Sequence, residues 1–426
     1  MNPVTTDKSP GSLRSTRSGR DLPSLTMSPL TSALDGVLRR TTEAAGGVPG
    51  VVTILTDRQG TIHEGSAGVR AVGSGDAMTP DTILSLFSCT KAITGVALMQ
   101  CVEDGLVSLD DRADRHVPEI SRTQVLDGFD ADGTPRLRPP TRPITVRHLM
   151  LHTAGFGYEF FNADIRRYRT YANSLGAPRG TRASIDTPLT FDPGTRWQYG
   201  VNIDWVGLLI EAVRGQRLGQ VFRERILDPL GMHDTAFHVT DAMADRAATM
   251  HQRQPSGEIV TIPSMMQRTP PHIENGGGGL YASAQDYAAF MRMILNDGSG
   301  AKGRILNSET VQSMVRNGLG DLASGGWISA NPTLTNSGEY FPGIRKSWAY
   351  TFQVNDEPAP TGRPAGSLAW AGLGNLFYWI DRQNGIAGFW GTQILPFHDI
   401  SSYPGFVEFE TTVYQHLSRN GTLRDR

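Results

Sequence analysis

The sequence predicts an α/β fold: an antiparallel sheet flanked by helices, built from both chain ends, with a mostly helical domain inserted between its halves. Three observations carry this. Apolar runs of strand length, bounded by turn residues, lie near 50–67 and again near 367–394. The stretch from about 90 to 300 reads as helices and loops, with Pro- and Arg-rich connectors around 134–143 and 178–194. No internal repeat is visible. The expected division is an α/β domain of residues 28–95 and 280–420, a helical insertion of 96–279, and an active site in the cleft between them.

Taken in order, residues 1–27 are rich in Ser, Arg, Pro and Gly and hold no apolar run, the composition of a disordered segment. Leu30, Leu34, Val37 and Leu38 recur at helical spacing over 29–45, which ends at Gly46-Gly47. Gly50 to Thr56 reads as a buried strand, Asp57 to Gly60 as a turn and Thr61 to Ala67 as its partner. A buried helix follows Ser88, with apolar residues from Ile93 to Met99 and Ser85 or Thr82 placed to cap it. Near the other end, Ser367 to Gly372, Leu376 to Ile380 and Ile386 to Ile394 read as three strands. Asp381 to Gly385 forms the hairpin turn between the last two. Residues 404–417 read as a closing helix.

Composition limits the function classes. A net charge of −2 with no basic stripe gives no basis for binding nucleic acid. No apolar stretch approaches the ~20 residues of a membrane span. No h-region of a secretory signal is present, so a cytoplasmic location is expected; a cleaved transit segment or an early start codon are the alternatives. Cys89 and Cys101 stand twelve residues apart on one expected helix. At ~1.5 Å rise per residue they cannot bridge, and no disulfide framework exists. The expected partner is a small molecule, with oligomeric state left open.

Lys8, Lys91, Lys302 and Lys346 are the only lysines in 426 residues. Lysine, unlike arginine, can lose its proton when buried. Lys91 follows Ser88 by three positions, which on a helix places both on one face. A serine near a helix N-terminus also has unbonded N–H groups and the positive end of the helix dipole around it. This is an S-x-x-K pattern. A second instance, Ser299 to Lys302, lies in a Gly-rich loop and reads as coincidence. Cys89, beside Ser88, faces another direction and is a poor nucleophile candidate.

Two further segments complete a constellation. Asp192-Pro193-Gly194 is a turn signal, after which Tyr199 precedes an apolar helix from Trp205 to Val213. A tyrosine carries protons near neutrality only if a cation lowers its pKa from ~10, and Lys91 is the expected cation. The alternative is an ordinary core tyrosine. Trp370-Ala371-Gly372-Leu373 lies on an expected strand, where small residues admit a ligand close to the backbone. An N–H from that strand, with that of Ser88, would make an oxyanion hole.

Together these residues resemble the serine β-lactamase-like superfamily in its class C branch, most closely the family VIII carboxylesterases and the related statin side-chain acyltransferases. The likeness spans about residues 30–415. It extends to Gly105-Leu106-Val107-Ser108-Leu109-Asp110-Asp111, to Ile144 through Gly155, to Asp228-Pro229-Leu230-Gly231-Met232 and to Gly276-Gly277-Gly278-Gly279-Leu280. The resemblance implies a β-lactamase/transpeptidase-like fold and no cofactor. It implies Ser88 as acylated nucleophile, Lys91 and Tyr199 as the proton-transfer pair, and Ser88 and Leu373 as oxyanion-hole donors. Two departures bear on substrate. Val201 stands where lactamases carry the Asn of Tyr-x-Asn, with Asn202 one step late, and Trp370-Ala371-Gly372 replaces a cationic Lys- or His-Thr-Gly.

An apolar wall of that kind suits an uncharged ester. The expected function is therefore a serine carboxylesterase acting on short- to medium-chain esters, with Trp370, Ala371, Gly372 and Tyr158 binding substrate and Phe160 and Phe161 lining the pocket. The alternatives are an acyltransferase using an alcohol acceptor, or a β-lactamase/DD-peptidase-like enzyme. Other classes fit less well. No G-x-S-x-G elbow exists for a Ser-His-Asp hydrolase. His148 and His152 show no third metal ligand, and the glycines at 276–279 lack the G-K-[ST] of a phosphate loop. A non-catalytic binding protein would have no need to keep Ser88, Lys91 and Tyr199 together.

Overall fold

The computed structural model describes residues 28–424, so the expectation for 1–27 falls outside the described residues. A seven-stranded antiparallel sheet has the order Lys346–Trp348, Gln353–Asn355, Leu368–Gly372, Leu376–Asp381, Ile386–Gly391, Gly50–Asp57 and Thr61–Gly68. The two chain ends meet inside it, where Val52 pairs with Gly391 and Asp57 with Ile386. Gly50–Asp57 is buried along almost its whole length, which is why it reads as a continuous apolar run.

Alternation along the C-terminal hairpin decides which helix covers which face. Tyr378 and Phe389 meet Tyr287 of the helix Ala284–Leu295. Trp379 and Trp390 turn the other way, onto Phe409 of the helix Ser402–Asn420. Gly405 is required at this contact: a Cβ there would lie 2.8 Å from Trp390. The helix Pro29–Glu43, capped by the Ser28 side chain with Pro29 at its start, packs beside the C-terminal helix.

The helix Thr90–Glu103 is buried from Thr90 to Cys101, with no polar face. It packs against the helix Asn202–Arg214. Both cysteines are free and buried. Among the described residues, no helix is long and apolar enough to cross a membrane.

Several expectations are corrected. The last expected strand stops at Gly391, and Ile394–Leu395 instead pairs in parallel with His251–Arg253. Between them the Thr392 hydroxyl bonds the Gly374 and Asn375 carbonyls, and the Gln393 amide bonds both backbone groups of Ser85. Residues 134–143 are more than a connector, because Pro135–Arg138 pairs with Val125–Phe129. Neither Ser85 nor Thr82 caps the buried helix. A 3-10 turn, Phe87–Cys89, feeds directly into it with no side-chain cap, and Thr82 serves the Thr79 amide.

Candidate active site

Ser88 sits in the 3-10 turn immediately before the Thr90–Glu103 helix, and Lys91 lies in that helix's first turn. Phe87 precedes the serine with φ of 45°, an uncommon conformation for a bulky residue that costs about 1–3 kcal/mol. Its neighbours hold it there. The Arg179 guanidinium lies 5.2 Å over the Phe87 ring, and the same arginine bonds the Gly278 carbonyl and the Tyr281 hydroxyl.

Lys91 is completely buried. Its Nζ lies 3.1 Å from Ser88 Oγ, 3.0 Å from the Tyr158 hydroxyl and 2.6 Å from the Gly277 carbonyl. Burial drives its pKa down from 10.5 to about 7, against the opposing pull of the Asp204 charge. A lysine so placed exchanges its proton near neutrality.

Tyr199 arrives from the other side of the site. The Asp192-Pro193-Gly194 turn that delivers it is held by Arg138, whose two nitrogens bond the Asp192 carboxylate. Gly194 has φ of +82°, and a Cβ there would press on the His148 ring at 2.9 Å. Tyr199's ring lies 4.7 Å from Lys91 Nζ, and its hydroxyl accepts a bond from Trp370 Nε1 at 3.0 Å. The expectation of a depressed tyrosine pKa is overturned. Burial raises it, outweighing the bonds to Ser88 and Trp370 that pull it down. The cation expected to depress it is itself held only partly charged near neutrality by burial.

The Leu368–Gly372 strand runs against the Ser88 turn so closely that a Cβ on Gly372 would lie 2.4 Å from the Leu86 carbonyl. Among the described residues the backbone amides of Ser88 and Leu373 meet no acceptor, and both residues line one cavity of about 1070 Å³. Trp370, Ala371, Gly372, Tyr158, Phe160, Phe161 and Tyr199 line it too. The structure thus brings every expected site residue to one place, with Lys91 in the wall beneath.

Some expectations resolve into structural roles. Asn202, one step late for the lactamase motif, is buried and donates to His152 Nδ1 at 2.9 Å. His148 closes a capping box with Thr145. No cluster of metal-ligand type occurs among the described residues. Cys89 is buried, and burial pushes its thiol pKa well up. Lys302 of the second S-x-x-K sits on the tip between two short strands and bonds the Asp228 carbonyl.

Sequence reasoning missed Asp204, the Trp370 N–H and the purpose of the glycine run. Asp204 Oδ1 accepts from Asn275 Nδ2 and from the Gly277 amide, each at 3.0 Å. A Cβ on Gly277 would fall 2.5 Å from that carboxylate. The available signal was a lone carboxylate in the apolar run Ile203-Asp204-Trp205-Val206, since a buried charge needs dedicated partners.

Residues 37–399 match the Beta-lactamase family. The chain belongs to that family. It is 32% identical to the lovastatin esterase of Penicillium rubens, over 82% of this chain and 90% of that one. It is 30% identical to the monacolin J acid methylbutanoyltransferase of Aspergillus terreus, over 86% and 92%. A mutant simvastatin synthase from Aspergillus terreus superposes with a TM-score of 0.79 at 28% identity, covering 94% of this chain and all of that one. This Beta-lactamase family member is an enzyme of the serine-hydrolase type, and its relatives include both an esterase and an acyltransferase.

Proposed function

We propose that the protein is a carboxylesterase that hydrolyses small-molecule carboxylic esters, short- to medium-chain in the acyl part, through an acyl-enzyme on Ser88. The observation that carries this reading is a dry Lys91 amine 3.1 Å from the Ser88 hydroxyl, titrating at about 7. Neutral Lys91 takes the Ser88 proton as Oγ bonds to the ester carbonyl carbon. The carbonyl oxygen becomes an oxyanion received by the Ser88 and Leu373 amides. Collapse breaks the ester C–O bond, and the leaving alkoxide takes up the proton held by Lys91. Tyr199 relays it, because its oxygen already accepts from Trp370 and its own proton is free to point toward the reacting atoms. Water then attacks the acyl carbon by the reverse proton path, releasing the acid and restoring Ser88.

The cavity lies at the upper end of small-molecule sites, which favours an ester with a bulky alcohol part. Its lining supports a cleft between the α/β body (28–95, 280–420) and the helical insertion (96–279): Ser88 and Trp370 come from the first, Tyr158 and Tyr199 from the second. The second reading, acyl transfer to an alcohol, is favoured by the transferase relative, which is nearly as similar as the esterase. The test is p-nitrophenol release from acetate-to-octanoate esters by wild type and Ser88→Ala, with and without an added alcohol. An acyl adduct on Ser88 and loss of turnover in the variant support the mechanism. Undiminished turnover in Ser88→Ala rules it out. An alkyl ester as the main product at millimolar alcohol assigns the enzyme to transfer.

A further inference from the structure

Lys91 has three polar neighbours, and only one of them should lose a proton to it. The Gly277 carbonyl can only accept, so one N–H of the amine is always committed there. Ser88 and Tyr158 each offer a hydroxyl that could donate or accept. A neutral amine has one lone pair, and it is useful only if aimed at Ser88. Something must therefore fix the Tyr158 hydroxyl as an acceptor toward lysine.

Asp204 is placed to do this. It lies five residues after Tyr199, in the first turn of the Asn202–Arg214 helix, and is buried. Its Oδ1 accepts from Asn275 and from the Gly277 amide, holding the peptide whose carbonyl meets Lys91. Its carboxylate also faces the Tyr158 hydroxyl. Burial raises the Asp204 pKa, while the Lys91 charge, Asn275, the Gly277 amide and Tyr158 favour its ionised form. As a carboxylate it draws the Tyr158 proton toward itself, which leaves the Tyr158 oxygen lone pairs for Lys91. The groups around the amine are Asp204, Tyr158, Tyr199, His152 and the Cys89 thiol, and Asp204 is the only carboxylate among them.

We infer that Asp204 is the positioning residue of this site: through the Gly277 peptide and the Tyr158 hydroxyl it directs the Lys91 lone pair onto Ser88. Tyr158 thereby does more than contact substrate, and the glycine at 277 is needed because any side chain would occupy the carboxylate's place. The inference rests on the Ser88–Lys91 mechanism above and adds to it a residue that acts on the reacting groups through Gly277 and Tyr158.

The experiment is stopped-flow acylation by p-nitrophenyl butyrate from about pH 5 to about pH 9, on wild type, Asp204→Asn, Tyr158→Phe and Ser88→Ala. Acylation by wild type rises with pH as Lys91 loses its proton. The Asp204 charge raises that pKa, so Asp204→Asn moves the rising limb to lower pH while lowering the plateau by about a hundredfold, the usual effect of misplacing a reacting group by ~1 Å. Tyr158→Phe keeps the ring, moves the limb the same way and lowers the plateau about tenfold, with KM little changed. Should Asp204→Asn fail to fold, Tyr158→Phe decides alone. A folded variant whose plateau falls with an unmoved limb shows a purely structural carboxylate and overturns the inference, as does an unchanged plateau. Activity surviving in Ser88→Ala would instead overturn the underlying mechanism, so the two failures are told apart.

Discussion

Replacing Trp370 by Phe removes a single donor from the centre of the site. The indole N–H meets the Tyr199 hydroxyl at 3.0 Å, and the two rings stand edge to face with centroids 4.8 Å apart. Phenylalanine keeps an aromatic surface against Tyr199 and against Trp348, whose ring lies 4.5 Å from that of Trp370. Trp370 lines the open cavity, so the lost volume merges with existing space. What is lost is mainly one hydrogen bond, about 1 kcal/mol to a neutral oxygen and about twice that when the oxygen gains charge in the transition state. Free to accept nothing from residue 370, Tyr199 can also turn its proton away from Ser88. The expected loss in kcat/KM is about 5- to 30-fold. It should fall on kcat more than on KM, because the bond strengthens only as charge develops. Burst kinetics with p-nitrophenyl butyrate, alongside thermal melts to confirm an intact fold, give the answer. A change of less than about twofold, or a loss confined to KM, would refute the assignment of Trp370 as Tyr199's donor.

Other consequences are equally direct. The depressed pKa of Lys91 makes native stability pH-dependent: its contribution is full above the unfolded value of 10.5 and drains away as pH falls through about 7. Wild type should therefore lose stability relative to Lys91→Met over that window in denaturant titrations, although the variant is inactive. Cys89→Ala should retain esterase activity within about twofold, since the buried thiol is no nucleophile, and assay after alkylation of the wild type should agree. Asn202→Ala should cost about 1 kcal/mol of stability, because His152 Nδ1 loses its shorter bond and keeps the 3.4 Å one from the Gly200 amide, with kcat largely kept, which paired melts and kinetics will separate.

Ser88, Lys91 and Tyr199 were legible because each left a local mark: a spacing of three on an apolar helix, a scarce lysine, a tyrosine just after a Pro-Gly turn. The long strands were legible for the same reason, their apolar runs being continuous or alternating. What escaped was set by tertiary contact. Lys346–Trp348 and Gln353–Asn355 are three residues each and mixed in polarity, so only their neighbours in the sheet make them strands. The expected continuation to Ile394 failed because Thr392 bonds the turn at Gly374 and Asn375 and Gln393 bonds Ser85 of another strand. The sign of the Tyr199 shift was misjudged because proximity of a lysine was counted and the desolvation of both groups was not. Asp204 carries no motif; its significance is the set of atoms it faces.

The strand Gly50–Asp57 lies inside the sheet, between its hairpin partner and a strand from the far end of the chain. During synthesis this has a cost in time. Val51, Val52, Ile54 and Leu55 leave the ribosome some three hundred residues before Ile386–Gly391 exists to pair with them. Until then the nascent chain holds an apolar edge with nothing to zip onto, a state prone to wrong pairing. The helices Pro29–Glu43 and Ser402–Asn420 pack antiparallel, with Arg40 paired to Glu408 and the Ser401 hydroxyl on the Gly46 carbonyl, which sets the start of the first helix beside the end of the second. A rearranged gene that joins residue 424 to residue 28 by a short linker and opens the chain at an exposed loop would bring the two strands out together, and should shorten the wait without altering the enzyme.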